Sequence, residues 1–577
     1  MPVTIENPQS LPLTVNEQRV LKVMFADYHR LVVRSRLAGG LSGSGVYLVR
    51  PILKDGAELP SVVKIDLYER IEQEWNAYRS YVRNRLYKVA EIRGEPVNPP
   101  GSPLSGLWYP FAGAGIDKIT SLYQYLIDTP PDKIVPLLEK HLFKYFAEWW
   151  RQTENHFDFN FRAAYDDFLP LNLTITCTEA KGMTDQLFPE SIDEQEWRIG
   201  EYVQVSGFKV VKLLREKQGL SLDVPESHKA FRIHVYGVGD VSAYEIGQVV
   251  QRPFTGLITE TRQRQLVQQA QKAVGPEMDL RAGVLTLPDG RMLPNPLLNW
   301  QKMLRQSMDV KVACIHGDLN MENVLVDRDT ETVHLIDFAK SRKDHVLRDL
   351  LHLEMAVVNK ILSETMTEGE QAAAIIHDLY QRLHCAVVQG KEVAPPTGQM
   401  KVFTILQAIR QAARPLLYRP DNWQEYYNGL FIYLLGSLRF RDLDRLTTAP
   451  RPKQLAFWGA ATILDLMENE PDCSAFVSGK TVIVPGVVSS WDIDKITAEW
   501  EADPLTQRLI FFNILKTQFS LEELGELAHN LGLSLDDLPP GSRGVKAQEL
   551  IGYFERRGQK RNLLEAAAKA RKDIPWR

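Results

Sequence analysis

The spacing of apolar residues along this 577-residue chain changes several times, and each change predicts a different kind of element. Short apolar runs bounded by turn residues predict strands near the N-terminus, at residues 29–37, 46–50 and 59–67. Residues 201–258 alternate apolar and polar positions between glycines, which predicts a small antiparallel barrel. Residues 345–468 repeat their apolar positions with the period of a helix. The chain is therefore predicted to belong to the α+β class.

The C-terminal part of the chain has a pattern of its own. Residues 470–500 show no regular period and predict an irregular link. Amphipathic segments then follow between residues 504 and 577, and they predict a compact bundle of four helices. Ser520 and Glu523 have the spacing of a capping box at the start of the second helix, which is predicted to end near Gly532.

Composition and charge argue against several classes of protein. A net charge of −5 and a pI near 6.2 argue against a dedicated nucleic-acid binder and against a polybasic membrane anchor. The N-terminus has no basic start or apolar core, and the most apolar run, residues 429–438, is too short to span a bilayer. Four cysteines lie far apart without a CxxC spacing, and we expect free thiols in a reducing compartment rather than disulfides or a metal site. We therefore expect a cytoplasmic protein.

The most informative segment is ACIHGDLNMENVLVDRDTETVHLIDFAKS, residues 313–341. Asp318 follows a short apolar run, Asn323 comes five residues later, and Asp337 ends a second apolar run. A hydroxyl that attacks the γ-phosphate of ATP needs a carboxylate to orient it and accept its proton, and Mg²⁺ on the phosphates needs oxygen ligands. The spacing predicts a kinase-type phosphotransferase, with Asp318 as base and with Asn323 and Asp337 as Mg²⁺ ligands. An ordinary hairpin with scattered polar residues is the alternative.

Upstream residues supply the other parts of a nucleotide site in the required order. Glycine has no Cβ, so a glycine-rich loop can bring backbone N–H groups close to phosphates. The candidate loop residues are Gly39, Gly40, Ser42, Gly43, Ser44 and Gly45. Lys64 lies within an apolar strand, where a charge requires a reason. It is predicted to bind the α- and β-phosphates and to be held by Glu74 of the next helix, with Glu72 as second choice.

Each of these signals has a simpler alternative. The glycine-rich loop can be a flexible hairpin turn, and Lys64 can lie on an edge strand with its ammonium in water. Leu107 to Phe111 can line a slot for adenine between two lobes or form a plain buried strand. Asp349 can order the loop around Asp318 or cap the helix that follows it.

The glycine loop, Lys64, Glu74 and the sequences HGDLNMEN and LIDFAKS together resemble the aminoglycoside phosphotransferase and choline kinase branch of the protein-kinase-like fold. The resemblance implies a two-lobed fold that binds ATP and Mg²⁺. Gly317 and Ala339 stand where eukaryotic protein kinases carry arginine and glycine. These departures favour the branch that phosphorylates small molecules.

The C-terminal segment FSLEELGELAHNLGLSLDDLPPGSRGVKAQELIGYFERRGQKRNLLEA, residues 519–566, resembles bacterial effector-associated, death-like interaction domains. That resemblance implies that residues 504–577 dock effector or adaptor proteins, and a structural tail is the alternative. Kinase-like domains with such inserts and C-terminal modules are similar to the ternary-complex-associated domain families of bacterial conflict and signalling systems.

These resemblances predict a two-lobed protein-kinase-like fold with an inserted small β-barrel and a C-terminal all-α death-like bundle. The predicted parts are an N-terminal region with the N-lobe (1–112), the start of the C-lobe (113–160), an inserted β-rich OB- or SH3-like domain (161–295), the C-lobe with the catalytic loop (296–468), a linker (469–503) and the effector-associated death-like domain (504–577).

The predicted function is an ATP- and Mg²⁺-dependent phosphotransferase of a bacterial signalling or conflict system, recruited to partners by its C-terminal domain. One rival is a catalytically inactive kinase-like scaffold that docks effectors by homotypic interaction. Another is a plain aminoglycoside kinase, against which the insert and the C-terminal bundle argue. The phosphoryl acceptor is not predicted, and neither nucleic acid nor a membrane is an expected partner.

Overall fold

A computed structural model of the chain describes residues 3–36, 45–56, 60–86, 91–110, 118–150, 152–192, 196–225, 230–287, 289–367, 369, 371–476, 493–519, 521–541 and 543–570. The chain divides into two units. The first unit contains Met1–Lys391 and Pro395–Pro471, and the second contains Glu392–Ala394 and Asp472–Arg577.

A five-stranded sheet with the order β1-β2-β3-β4-β5 forms the N-terminal part of the first unit. Its elements are β1 (Thr4–Glu6), α1 (Val15–Met24), β2 (Arg30–Arg36), β3 (Gly45–Ile52), β4 (Ser61–Leu67), α2 (Tyr68–Ala77) and β5 (Leu104–Pro110). Successive residues of a strand point to opposite faces. Val46 and Leu48 of β3 therefore join the large core that includes α2, whereas Tyr47 and Val49 join a separate core that includes α1. The sheet is covered by a helix on each face.

The chain then runs through short elements before it enters the predicted insert. They are β6 (Ile119–Ser121), α3 (Leu122–Asp128), α4 (Pro131–Leu137), α5 (Phe143–Trp150), β7 (Glu154–Asn160) and α6 (Phe161–Tyr165). Helix α5 buries Phe146, Trp149 and Trp150 in the large core. These helices therefore add to the same core that lies beneath the five-stranded sheet.

A mixed seven-stranded sheet occupies the region where the sequence predicted a small antiparallel barrel. The strands of this sheet are β8 (Leu173–Cys177), β9 (Thr184–Leu187), β10 (Tyr202–Val205), β11 (Lys209–Leu214), β12 (Gly219–Asp223), β13 (Ile233–Tyr236) and β14 (Phe254–Thr261). Helix α7 (Arg262–Val274) follows, and then β15 (Val284–Thr286) and β16 (Met292–Pro294), which pair with each other. The strand order is β11-β12-β13-β8-β14-β10-β9, and β8–β13 and β9–β10 are parallel pairs.

The prediction of a closed antiparallel barrel is wrong. Among the described residues no pairing joins the edge strands β9 and β11, so the sheet is open. Alternation along a strand records which of its faces is buried. It carries no information about the order in which seven strands pair, and this is why the pattern predicted the strands but not their arrangement.

A buried ion network ties the entry of the inserted sheet to its exit. Asp166 is fully buried and lies 2.7 Å from Arg262 Nη1 and 3.2 Å from Arg232 Nε. Arg262 also donates to Asn172 Oδ1 at 3.0 Å and to the Pro170 carbonyl at 2.7 Å. Burial opposes ionisation of Asp166, but the two guanidinium groups outweigh it and lower the pKa of this carboxyl. Charge-assisted bonds of this kind hold the start of β8 and the end of β14 together.

Helices dominate the rest of the first unit, as the periodic pattern predicted. The elements are α8 (Pro296–Leu304), β17 (Ser307–Ile315), β18 (Val324–Asp327), β19 (Val333–Leu335), β20 (Arg342–His345), α9 (Arg348–Ala356), α10 (Ser363–Thr365), α11 (Ala372–Leu383), α12 (Met400–Ala413), α13 (Gln424–Ser437) and α14 (Arg451–Glu468). Strand β17 pairs with β20 and β7, and β18 pairs with β19 and β6. These two small sheets carry the segment of residues 313–341.

The described part of the second unit is helical and has its own core. Its helices are α15 (Ile493–Ala502), α16 (Pro504–Gln518), α17 (Leu521–Asn530), α18 (Arg543–Arg556) and α19 (Lys560–Ala570). Four of them match the predicted helices, but most of α15 falls in the stretch of residues 470–500 that was predicted to be irregular. Ile496 and Trp500 bury this helix in the core and Ile493 packs against it, so its apolar residues have the i, i+3, i+7 spacing of a helix, which the prediction missed. Ser520 of the predicted capping box lies outside the described residues.

Two observations bear on the predicted compartment. Cys177 and Cys314 are free thiols, whereas Cys385 and Cys473 are disulfide-bonded. The expectation of free thiols is therefore wrong for two of the four cysteines. The state of the cysteines thus gives no support for a reducing compartment. Within the described residues, no helix combines the length and apolar character needed to cross a membrane.

Candidate active site

Two carboxyl groups meet at Lys64, one from the next helix and one from a distant segment of the chain. The Lys64 ammonium, on the interior strand β4, lies 2.7 Å from Glu74 Oε2 and 2.7 Å from Asp337 Oδ1. The Lys64 and Glu74 side chains are buried, whereas 26% of the Asp337 side chain is exposed. Burial alone would lower the pKa of Lys64, but the two carboxylates outweigh burial and raise it, so the lysine is charged. The alternative of an edge lysine with its ammonium in water does not apply.

Glu74 is held by more than the lysine. Its Oε1 accepts a hydrogen bond from the Tyr109 hydroxyl and another, at 3.2 Å, from the backbone N–H of Phe338. These bonds connect α2, β5 and the segment after β19. The structure brings Glu74, rather than the second choice Glu72, to the lysine.

Asp337 has a left-handed backbone conformation, with φ of 67°. This conformation strains an L-residue by roughly 1–2 kcal/mol, although aspartate tolerates it better than most. The next residue, Phe338, is buried, and its ring centroid lies 5.9 Å from that of Tyr78 and 5.2 Å from that of His316. Packing of Phe338 and its bond to Glu74 hold the strained backbone, which directs the Asp337 carboxylate towards Lys64.

Asp349 organises the loop that leads to Asp318. Its Oδ2 accepts the backbone N–H of His316 at 2.7 Å, and its Oδ1 accepts that of Gly317 at 2.9 Å. Helix α9 begins at Arg348 and has no side-chain hydrogen bond at its N-cap. Of the two roles considered for Asp349, its contacts support loop ordering rather than helix capping.

Gly317 is required by the backbone at this point. Its φ is +79°, and a Cβ added there would lie 2.2 Å from the carbonyl oxygen of Lys340. Backbone cannot move aside as a flexible side chain can. This close approach explains why the chain has glycine at position 317.

Asp318 lies beside two basic side chains. Lys340 Nζ is 3.0 Å from its Oδ2, and His352 Nδ1 is 3.6 Å from its Oδ1. Burial opposes ionisation, but the charge of Lys340 outweighs burial and the pKa of Asp318 is lowered from its usual value. His352 contributes little at neutral pH, because burial lowers its own pKa to about 4 and leaves the ring uncharged. Asp318 is therefore a carboxylate at neutral pH.

Asn323 is fixed through the nitrogen of its side chain. Nδ2 donates to the backbone carbonyl of Asp318 at 2.8 Å, and the backbone N–H donates to the carbonyl of Asn320 at 3.1 Å. An amide side chain has two donors on nitrogen and an acceptor on oxygen. Since the nitrogen holds the loop, the oxygen is the atom left to accept or coordinate a ligand.

Most of the predicted glycine-rich loop lies outside the described residues, namely Gly39, Gly40, Ser42, Gly43 and Ser44. Gly45 opens β3, and a Cβ there would lie 2.6 Å from Tyr47 Cε2 and 2.9 Å from Glu17 Oε1. Gly45 thus faces α1, on the side of the sheet opposite Lys64. Close packing against that helix is reason enough for glycine at this position.

The segment considered for an adenine slot is a buried strand over its described part. Leu107 and Tyr109 belong to the large core, and Phe111 lies outside the described residues. Sequence reasoning assigned no catalytic role to Tyr109, Lys340 or His352. Lys340 had a signal, since it falls within LIDFAKS, whereas His352 had none beyond its place on a buried helix.

A strand lysine paired with a helix glutamate and with Asp337, together with a loop that carries Asp318 and Asn323, defines a kinase-like protein. The chain belongs to the ternary complex associated domain 9 family, whose model matches residues 29–439. The model of effector-associated domain 7 matches residues 508–572. The predicted resemblances to the ternary-complex-associated domain families and to effector-associated domains are thereby confirmed. The range of the first match includes the residues of the inserted sheet.

Several solved kinases are similar to this chain. Amicoumacin kinase hAmiN, in complex with AMP-PNP, Ca²⁺ and Ami, is 12% identical, with 78% of this chain and 93% of that chain covered and a TM-score of 0.31. A glucosamine kinase is 9% identical, with 76% and 94% covered and a TM-score of 0.30. A thermostable mutant of aminoglycoside phosphotransferase APH(4)-Ia is 9% identical, with 75% and 95% covered and a TM-score of 0.32. At these TM-scores the likenesses carry no argument about function. No curated protein matches the chain.

Proposed function

We propose that the chain is an ATP- and Mg²⁺-dependent phosphotransferase of a bacterial signalling or conflict system, recruited to protein partners by its C-terminal domain. The observation that carries the proposal is the pairing of Lys64 with both Glu74 and Asp337, at 2.7 Å each. Burial raises the pKa of Glu74, whereas Lys64 and the Tyr109 hydroxyl favour its charged form. With Glu74 ionised, two carboxylates share one ammonium and the cluster has surplus negative charge at a partly exposed position. A bound cation would balance that surplus.

In this proposal Asp318 orients an acceptor hydroxyl and takes up its proton. The lowered pKa keeps Asp318 deprotonated at neutral pH, as a proton acceptor must be. Lys64, held by Glu74, binds the α- and β-phosphates of ATP, and residues 39–45 cover them. Asp349 fixes the loop through two backbone N–H groups and so keeps Asp318 in position.

The side chains present fit a magnesium ion. Mg²⁺ prefers oxygen and is usually held by one or two carboxylates together with phosphate and water oxygens. Asp337 offers a partly exposed carboxylate, and Asn323 offers an amide oxygen whose neighbouring nitrogen is already engaged. These two residues would hold the ion, which offsets phosphate charge when it is bound.

The match of residues 508–572 to an effector-associated domain supports the recruitment part of the proposal. This region has a hydrophobic core of its own. In the proposal it acts as a death-like helical domain that docks effector or adaptor proteins and brings them to the kinase-like unit.

The experiment measures thermal stabilisation by ATP with Mg²⁺, and transfer of labelled γ-phosphate to protein or water, in the wild type and two variants. We expect ATP to stabilise the wild type. Asp318→Asn should still bind ATP but lose about 10²–10⁴-fold in transfer rate, because it removes the proton acceptor. Lys64→Met should lose both binding and transfer, because it removes the phosphate contact.

Asp132→Asn and Lys133→Met change exposed residues of α4 and serve as matched controls, which should behave like the wild type. ATP binding without any transfer in the wild type would favour the inactive scaffold that docks effectors by homotypic interaction. Absence of ATP binding would contradict the assignment of the nucleotide site.

A further inference from the structure

Residues 3–28 precede the family match, which begins at residue 29, yet they are built into the five-stranded sheet. Strand β1 pairs with β2, and Val20 and Leu21 of α1 are fully buried on the face opposite Lys64. A Cβ on Gly106 of β5 would lie 2.7 Å from Val20 Cγ1. Helix α1 therefore packs as close to the sheet as the backbone allows.

Glu17 links the start of α1 to strand β3. Its Oε2 accepts the backbone N–H of Thr14 at 2.7 Å, and its own N–H donates to Thr14 Oγ1 at 3.2 Å, which completes a capping box. Its Oε1 accepts a hydrogen bond from the Tyr47 hydroxyl at 2.6 Å. Both side chains are buried, and a hydrogen bond to a carboxylate is stronger away from water. The capping residue thus also fixes the position of Tyr47.

Tyr47 lies near the strand ends that flank residues 37–44, which are outside the described residues. Strand β2 ends at Arg36 and β3 begins at Gly45, and Arg36 is the cross-strand partner of Tyr47. The Arg36 guanidinium lies 5.8 Å from the centroid of the Tyr47 ring. Gly45 packs against both Tyr47 and Glu17. Glu17 is therefore connected to both strand ends that carry the glycine-rich segment.

We propose that α1 is a positioning element of the nucleotide site, in which Glu17, acting through Tyr47, fixes the two strand ends beside the glycine-rich segment and so sets the affinity for ATP. This inference rests on the proposed function, because it requires ATP to bind on the Lys64 face of the sheet. Neither side chain touches the reacting atoms. Its expected signature is a higher KM for ATP with little change in kcat.

The test uses the full chain with Tyr47→Phe, which removes only the hydroxyl that binds Glu17. Tyr28→Phe is the matched control, because Tyr28 packs on Trp108 in the same core but away from the loop. We expect Tyr47→Phe to raise the Kd of a non-hydrolysable ATP analogue and the KM for ATP by about five- to tenfold. The kcat should stay within about twofold, and Tyr28→Phe should change neither quantity.

Hydrogen exchange gives a readout that needs no nucleotide. In the unliganded protein, the backbone amides of residues 31–36 and 45–48 should exchange faster in Tyr47→Phe than in the wild type or in Tyr28→Phe. Glu17→Gln changes the other partner of the hydrogen bond between Glu17 and Tyr47, and it should lower the affinity for the ATP analogue as Tyr47→Phe does. If Glu17 and Tyr47 act as one unit, their substitutions should not add. The double variant should then bind the analogue about as tightly as whichever single variant binds it more weakly.

Unchanged affinity for the analogue in folded Tyr47→Phe and Glu17→Gln proteins would overturn this inference alone. Equal effects of Tyr47→Phe and Tyr28→Phe would do the same, since they would reflect general loss of packing. Failure of the wild type to bind the analogue would overturn the proposed function and this inference with it.

Discussion

Two clusters of buried charge join distant segments of the first unit, and they balance their charges differently. Arg410 of α12 and Glu354 of α9 form a one-to-one pair, with Nη2 2.7 Å from Oε1 and no exposed surface on either side chain. Lys64 instead pairs with Glu74 and Asp337, and 26% of the Asp337 side chain is exposed. The first cluster is neutral and closed, whereas the second has surplus negative charge and opens to solvent.

The surroundings of the two clusters reinforce the difference. The Arg410 guanidinium lies 4.9 Å from the ring centroid of Tyr380, and the Tyr426 hydroxyl donates to Glu354 Oε2 at 2.5 Å. Because neither side chain is exposed, the pair offers no position to a ligand, and its contacts support a structural role. Buried charge alone therefore does not mark a functional site. Charge balance and exposure separate the cluster that can take a ligand from the one that locks two helices together.

The largest expected effect is on the closed pair. Glu354→Gln should lower the free energy of unfolding by about 3–5 kcal/mol, because it leaves the Arg410 charge buried without a counter-charge. Denaturant unfolding measures this change. Glu468→Gln, in the exposed pair with Lys302, is the control and should change it by less than about 1 kcal/mol. A loss equally small in Glu354→Gln would show that the closed pair is not a structural lock.

A smaller loss is expected from Gly317→Ala, which tests the loop that carries Asp318. The substitution combines left-handed strain with a clash against the Lys340 carbonyl, and it should cost about 2–4 kcal/mol of unfolding free energy. Gly290→Ala is the control, since Gly290 has a similar φ of +85° but nothing within 4 Å of the position that a Cβ would take. Equal losses in both variants would mean that the close approach at Gly317 has no energetic weight.

Neutralising an acidic residue should not destabilise the open cluster around Lys64, in contrast to the closed Arg410–Glu354 pair. Asp337→Asn removes the surplus negative charge, and asparagine tolerates the left-handed backbone, so the free energy of unfolding should stay constant or rise by up to about 1 kcal/mol. Phosphoryl transfer should be lost in the same variant. A stability loss as large as that of Glu354→Gln would erase the distinction between the clusters.

The smallest effect is expected in the pH dependence of transfer. Asp318 acts as a carboxylate and its pKa is lowered, so the acid limb of the kcat/KM profile should lie below the usual range of an aspartate. Lys340→Met removes the ammonium 3.0 Å from Asp318, which raises the pKa of Asp318 and moves this limb to higher pH. Lys343→Met, which breaks the neighbouring pair with Glu154, should leave the limb in place.

Glu74 was predictable as the partner of Lys64 because a charge within an apolar strand needs a nearby counter-charge, whereas the contact of Lys64 with Asp337 was not predicted. The candidate partners of Lys64 were Glu74 and Glu72, which lie two residues apart on the next helix. The chemical roles of these residues stay predictions. Asp349 had two plausible roles from sequence, and only its contacts with two backbone N–H groups of the loop distinguish them.

By itself, the sequence determined the α+β class, the helices of residues 345–468, the residues of the kinase-like motif and the effector-associated region. Only the tertiary structure decided that the insert is an open mixed sheet, that Gly45 faces α1 and that Glu17 reaches Tyr47. The physical reason is how far along the chain the residues that determine each feature are separated. Periodicity records which side of an element is buried, whereas strand order and hydrogen-bond partners depend on residues brought together from distant parts of the chain.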